Sequence, residues 1–157
     1  MPDGFVIREH WDLLWTVRPP AAQPGRDAVV ELPSSDNDVN ALLDLVMPES
    51  TVRPGHPMAR RWYGIWADGV LVACGADRSG HLATSPGVGV LGGIAVHPAY
   101  RSRGLGAALS AAITTRLFDQ YDLVTLGVWP DNDTARRMYE RLGYTARSEI
   151  TSVKPAA

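Results

Sequence analysis

V-G-V-L-G-G-I-A-V-H-P-A-Y-R-S-R-G-L-G-A-A-L-S-A-A-I-T-T-R-L-F, residues 88–118, decides how the rest of the chain is read. Val88, Val90, Leu91, Ile94 and Val96 make a short apolar run, and Pro98 bars further strand pairing, so the run predicts a buried strand. From Gly104 onward, Leu105, Ala108, Leu109, Ala112 and Ile113 recur at the spacing of one helical face. Between strand and helix lies R-S-R-G-L-G, residues 101–106. Glycines there let backbone N–H groups approach a ligand, and a helix start leaves those donors unpaired with a partial positive charge. Arg101 and Arg103 add forked cations that match phosphate oxygens. Strand, turn and helix together predict an anion site for a phosphorylated ligand; a solvated surface turn is the plainer alternative.

A dinucleotide fingerprint fits worse. It needs G-x-G-x-x-G directly after the strand and an acidic residue roughly 20 positions on. Here Gly104 lies eight residues beyond Val96, Leu109 occupies the third-glycine position, and Asp131 is too distant.

V-H-P-A-Y-R-S-R-G-L-G-A-A-L resembles the acyl-CoA signature of the GNAT superfamily of N-acetyltransferases, R/Q-x-x-G-x-G/A, on Arg101, Gly104 and Gly106. A second pattern of that family, N-x-x-A-x-x-x-Y-x-x-x-G-[FY], falls on Asn132, Ala135, Tyr139, Gly143 and Tyr144. The resemblance spans about residues 88–145 and carries much less of the first 60. It implies a mixed α/β chain with the GNAT fold: a mostly antiparallel twisted sheet, flanked by helices, with an acyl-CoA cleft beside the central strand. It further implies acetyl-CoA as cosubstrate, its pyrophosphate held by the turn (Arg101, Ser102, Arg103, Gly104, Leu105, Gly106, Ala107) and its pantetheine arm paired with Ile94, Ala95 and Val96. Asn132 and Ala135 join the cosubstrate site, and Tyr139 is implied as the acid that protonates the departing thiolate. The implied activity is acetyl transfer to a primary amine of a small molecule or peptide by direct attack. The alternative is a GNAT-fold module that binds acyl-CoA without turnover.

Acyl transfer from a thioester to an amine needs the thioester positioned, its carbonyl polarised, the amine deprotonated and the thiolate protonated. A main-chain N–H near Ile94 or Ala95 suits the second task. A phenol, protonated at neutral pH, suits the last. No carboxylate stands between Val88 and Val96 to act as base; Asp77, Glu49, His56 and His81 are the candidates left. His97, just before Pro98, reads as a surface or capping residue, and Cys74 as a small buried hydrophobe. Trp62, Tyr63 and Trp66 could line an acceptor pocket, yet they alternate like sheet packing residues.

The 157 residues fit one domain, residues 1–157, with 45% apolar and 20% charged side chains. A net charge of −2 argues against a partner held by bulk electrostatics, nucleic acid above all. One cysteine excludes an internal disulfide and suggests a reducing cytoplasm. Neither a membrane-length apolar run nor a signal-peptide pattern is visible, the four histidines show no metal-ligand spacing, and a homodimer stays open.

Along the rest of the chain, Phe5 to Ile7 suggests a short strand and His10 to Trp15 a short helix. Residues 28–32 read as a strand, and Val39, Leu42, Leu43 and Val46 as the face of a helix capped by Ser34 or Ser35. Residues 48–60, with three prolines, read as an irregular loop. Asp68-Gly69 predicts a hairpin turn between strands 62–67 and 70–76, with another turn over 77–87. Residues 123–129 read as a strand in which Gly127 signals a close approach, by a ligand or by a neighbouring Trp or Tyr. A last helix, capped by Asp133 or Thr134, ends at Gly143 and is followed by an edge strand.

Overall fold

A computed structural model describes residues 5–79 and 87–155. Seven strands form one sheet in the order β2-β3-β4-β5-β6-β1-β7. They are β1 (Phe5–Thr16), β2 (Val30–Leu32), β3 (Arg61–Ala67), β4 (Val70–Asp77), β5 (Val88–Val96), β6 (Leu123–Val128) and β7 (Ala146–Pro155). Three helices flank the sheet: α1 (Asn37–Val46), α2 (Leu105–Leu117) and α3 (Asp133–Arg141). Every neighbouring pair is antiparallel except β5 with β6. The mixed, mostly antiparallel sheet is the predicted architecture.

Two cores lie on opposite faces. On one, α1 sets Val39, Leu42 and Leu43 against Leu32, Trp62, Cys74, Ala76 and Ala95. On the other, Leu109 and Ile113 of α2 and Tyr139 of α3 pack with Tyr63, Ile65, Val72, Val124 and Leu126. Helix α2 is buried beyond the single stripe expected of it, because Ser110, Ala111, Thr114 and Leu117 are buried too. The segment after β1 covers part of the helix: a Cβ on Gly25 would touch the Ala108 side chain at 3.7 Å.

The hairpin turns at Asp68-Gly69 as expected, both residues having positive φ. Caps differ by a residue or two. Asp36, not a serine, caps α1 by accepting from the Asp38 N–H at 2.7 Å. Asn132, ahead of the two expected residues, caps α3 by accepting from the Ala135 N–H at 3.2 Å.

The N-terminal expectation is corrected. Residues 5–16 form one strand, without a helix, paired on one side with β6 (Leu14↔Leu126) and on the other with β7 (Trp11↔Ile150). Its buried positions alternate, Asp12, Leu14 and Thr16, and two of the three are polar. Polar residues on the inner face erase the period of two, while Trp11, Leu14 and Trp15 imitate a helical stripe. At Gly127 the close approach is internal: a Cβ there would meet Trp11 at 3.2 Å.

Candidate active site

The site begins where β5 leaves β6. The two strands register only as Val88↔Leu123, Gly89↔Val124 and Val90↔Thr125. Beyond Val90, β5 keeps its partner on the other side: Ala76↔Gly92, Cys74↔Ala95 and Ala73↔Val96. The register to β4 shifts between Cys74 and Ala76, opposite Gly93, whose φ is +64°. Glycine adopts that conformation without strain, and the bulge turns the following residues. From Leu91 to Val96 one edge of β5 is therefore free of a strand partner among the described residues.

Alternation decides which groups line that edge. The His97 N–H donates to the Val72 carbonyl at 2.7 Å, toward β4. Stepping back by twos, Ala95 also faces β4, while Val96 and Ile94 present their main-chain groups to the gap. Two contacts agree. The Cys74 thiol of β4 donates to the carbonyl of Gly93, two residues before Ala95, at 3.7 Å, and Arg101 Nε donates to the Val96 carbonyl at 3.4 Å. Of the two N–H groups considered for polarising a thioester, Ile94 faces the gap, and Ala95 is turned into the sheet.

The 101–106 turn follows directly. His97 Nδ1 accepts from the Ala99 N–H at 3.1 Å, capping a 3-10 turn over Pro98–Tyr100. Arg101, Ser102, Arg103 and Gly104 are exposed, with Ser102 at φ +63° and Gly104 at φ +77°. Arg103 rests over the Tyr100 ring at 4.9 Å and donates to the Ala99 carbonyl at 3.4 Å. Helix α2 starts on Gly104 with neither a side-chain cap nor an acidic residue in its first turn, unlike α1 and α3. The first N–H groups of Leu105, Gly106 and Ala107 thus lack intrahelical partners, at the positive end of a 13-residue helix. Gly104 and Gly106 do different things. A Cβ on Gly104 would enter open space, whereas one on Gly106 would meet Met138 Sδ at 3.3 Å and Val96 at 3.7 Å. Gly106 lets α2 pack against α3 and β5.

Helix α3 brings Tyr139 into the core beside α2, 8% exposed, its ring 6.0 Å from that of Tyr144. Burial pushes the Tyr139 phenol up to about 12, and the Ser110 hydroxyl pulls weakly the other way. No hydrogen bond of standard geometry closes between them, and Ser110 Oγ is a buried hydroxyl without a partner. Sequence reasoning passed over Ser110. Its signal was a hydroxyl inside the otherwise apolar run A-A-L-S-A-A-I. Below it on α2, Thr114 Oγ1 and the Tyr144 hydroxyl share a bond of 2.6 Å. Asn132 and Ala135 stand together at the start of α3, joined by the cap.

The candidate bases do not converge on this gap. Asp77 accepts from the Ser79 N–H at 2.8 Å and lines a hollow of about 270 Å³ with Glu31, Arg61, Tyr63 and Arg116. That hollow contains none of the turn, Tyr139 or β5. Glu49 is exposed after α1, and His56 Nδ1 accepts the Met58 N–H at 3.0 Å. His81 lies outside the described residues. Burial lifts the Cys74 thiol to about 12, so it stays protonated and inert. Trp62 and Tyr63 are core residues on opposite faces, and Trp66 is 41% exposed. No described helix is long and apolar enough to cross a membrane.

The acetyltransferase (GNAT) family model matches residues 29–144. Among solved structures the chain is similar to a protein of Novosphingobium aromaticivorans assigned to GNAT-family acetyltransferases. That likeness has a TM-score of 0.76 at 23% identity, over 99% of this chain and 70% of the other. A GCN5-related N-acetyltransferase of Kribbella flavida gives 0.69 at 25% identity, over 95% of this chain and 60% of the other. An aminoglycoside acetyltransferase from an uncultured soil metagenomic sample, in complex with sisomicin, gives 0.63 at 12%, over 79% of this chain and 91% of the other. The chain thus spans well under the full length of the first two. No curated protein matches.

Proposed function

Because the chain belongs to the GNAT acetyltransferase family, we propose that it transfers an acetyl group from acetyl-CoA to a primary amine. The observation that carries this reading is the open edge of β5, which ends at an uncapped helix start flanked by Arg101 and Arg103. Extended along that edge, the pantetheine arm would exchange main-chain hydrogen bonds with Ile94 and Val96. The pyrophosphate would receive the N–H groups of Leu105, Gly106 and Ala107, with the two guanidinium groups beside it. A thioester carbonyl near the bulge would be polarised by the Ile94 N–H.

The amine attacks the thioester carbon, the C–N bond forms, and collapse of the tetrahedral intermediate breaks the C–S bond. Tyr139 gives its proton to the leaving sulfur. Its raised pKa keeps it protonated at every physiological pH. With no carboxylate on β5, the amine enters as its free base or loses its proton to water.

Thermal shift with acetyl-CoA, followed by free-thiol detection across a panel of amines, tests the reading. A ligand at 100 times its Kd adds about 2.7 kcal/mol of stability. Absence of any shift at millimolar acetyl-CoA would overturn it. Binding without thiol release from any amine would favour an acyl-CoA-binding module.

A further inference from the structure

A cation lies across β5 at the point where that strand parts from β6. Arg78 follows the last residue of β4, and its N–H donates to the Val90 carbonyl at 2.8 Å. Val90 is the last β5 residue in register with β6. From there the side chain runs over Gly92, where a Cβ would collide with Arg78 Cδ and lie 3.3 Å from Nη1. Gly92 pairs with Ala76, which belongs to the α1-side core. The guanidinium thus sits on the α1 side of the gap, and Tyr139 packs in the core of the opposite face.

Among the described residues this charge has no counterpart. Arg78 takes part in no ion pair among the described residues, and its Nε is buried without a hydrogen-bond partner. Residues 80–86, which follow it, include no Asp or Glu. Other half-buried arginines face a carboxylate, although Arg136 Nε is likewise buried without a hydrogen-bond partner. Arg53 pairs with Asp44 and donates to three carbonyls, those of Ser50, Asn40 and Pro48; Arg136 pairs with Asp12 and donates to the Pro130 carbonyl. Buried guanidinium groups are ordinarily paired, since desolvating an unpaired charge is costly. At Arg78 that desolvation pulls the guanidinium below the usual arginine range. Gly92 is what admits it, because any larger residue would push the side chain off the strand.

The phosphates of CoA do not complete this site. They belong at the turn beyond Val96, about 13 Å of extended strand from Gly92, with Arg101 and Arg103 as their own cations. A cosubstrate running down β5 brings its reacting carbon toward Gly92 instead. We propose that Arg78 binds a carboxylate held a few bonds from the reacting carbon, carried by the acceptor amine or by the acyl chain. The substrate class is then an amine of amino-acid type, or a dicarboxylic acyl thioester. The inference rests on the acyl-CoA reading of the cleft given above.

The test uses CoA conjugates, so it needs no known acceptor. In one series the CoA sulfur carries an acetyl group amide-linked to glycine, β-alanine or γ-aminobutyrate, each beside its carboxamide. In the other, malonyl-CoA and succinyl-CoA are compared with acetyl-CoA. Affinities are measured by calorimetry for wild type, Arg78→Met and Arg78→Lys, with CoA itself and melting temperature as references. We expect wild type to bind at least one carboxylate member about 10- to 100-fold more tightly than its neutral counterpart. Arg78→Met should keep CoA affinity and lose that preference, and Arg78→Lys should keep part of it. Preference within the conjugates assigns the carboxylate to the acceptor; preference for malonyl-CoA or succinyl-CoA assigns it to the acyl chain. No preference in either series, or one that survives in Arg78→Met, overturns the assignment. Failure of CoA to bind wild type would instead overturn the cosubstrate reading, and this inference with it.

Discussion

Tyr139 is a core aromatic and the proposed proton donor, and one substitution separates the two roles. Tyr139→Phe keeps the ring against Tyr144 and removes a hydroxyl that makes no well-formed bond to Ser110. Melting temperature and acetyl-CoA affinity should change little, while kcat falls on the order of 10²–10⁴, the usual range for one general acid. A loss under about threefold would leave Tyr139 as core alone. Gly104 poses the complementary question. With φ at +77° and no described atom within 4 Å of its Cβ position, Gly104→Val strains the backbone without a clash at Cβ. The fold should lose roughly 1–3 kcal/mol, and acetyl-CoA binding should disappear because the new side chain fills the space before the helix start. Calorimetry on the folded variant checks this; normal binding would place the phosphates elsewhere.

Among the elements, α3 carries Tyr139, the proposed donor, and a buried charge cluster fixes where that helix sits. Asp12 on β1 has a side chain 1% exposed and meets Arg136 Nη2 at 2.6 Å and Arg147 Nη2 at 3.3 Å. One carboxylate thus ties β1, the strand next to the edge, to α3 and to the edge strand β7. Removing one member of a buried pair costs more than the pair is worth, because the other charge is left unpaired. Asp12→Asn should destabilise the protein by about 3–5 kcal/mol in urea denaturation. Adding Arg136→Met to it should recover part of that loss, a coupling that a double-mutant cycle reads directly. Additive losses would mean that the two side chains act independently.

Across the whole molecule, three buried groups set an alkaline limit. Burial raises Tyr139 and Cys74 to about 12 and raises Tyr144 further. Each is neutral in the fold and ionises more readily in the unfolded chain, where a phenol titrates near 10 and a thiol near 8.5. The unfolded state therefore sheds protons first as pH rises. Stability is fully present below about pH 8.5 and is lost through pH 12. Urea midpoints measured from pH 8 to 11 should fall, and less steeply in Tyr139→Phe. A flat profile would mean that these groups are better solvated than their burial implies.

How much of this was legible follows from the residues. The central strand, turn and helix were, because apolar run, proline, glycines and helical period agree within 31 consecutive residues. The Asp68-Gly69 hairpin was too, since those residues tolerate the positive φ the turn requires. Strand β1 was not, because polar Asp12 and Thr16 occupy its inward positions: the partners of Asp12 lie more than a hundred residues away, and Thr16 turns its hydroxyl to the Arg18 backbone. Caps were legible only to within a residue or two, as runs such as S-S-D-N-D offer several chemically equivalent candidates. Arg78 reads as one more charge in a polar turn until Gly92 is seen beneath it.

The pairing of β1 also orders events during synthesis. Its two neighbours, β6 and β7, both follow it by more than a hundred residues. At ribosomal speeds of 5–20 residues per second, the roughly 110 residues from Leu14 to Leu126 take on the order of 10 s to emerge. Throughout that interval Trp11, Leu14 and Trp15 have no strand to join, although the β3–β4–β5 meander can already assemble. The first of these seven strands to be translated is among the last to be paired, and nascent chains stalled before β6 should expose it to chaperones and proteases.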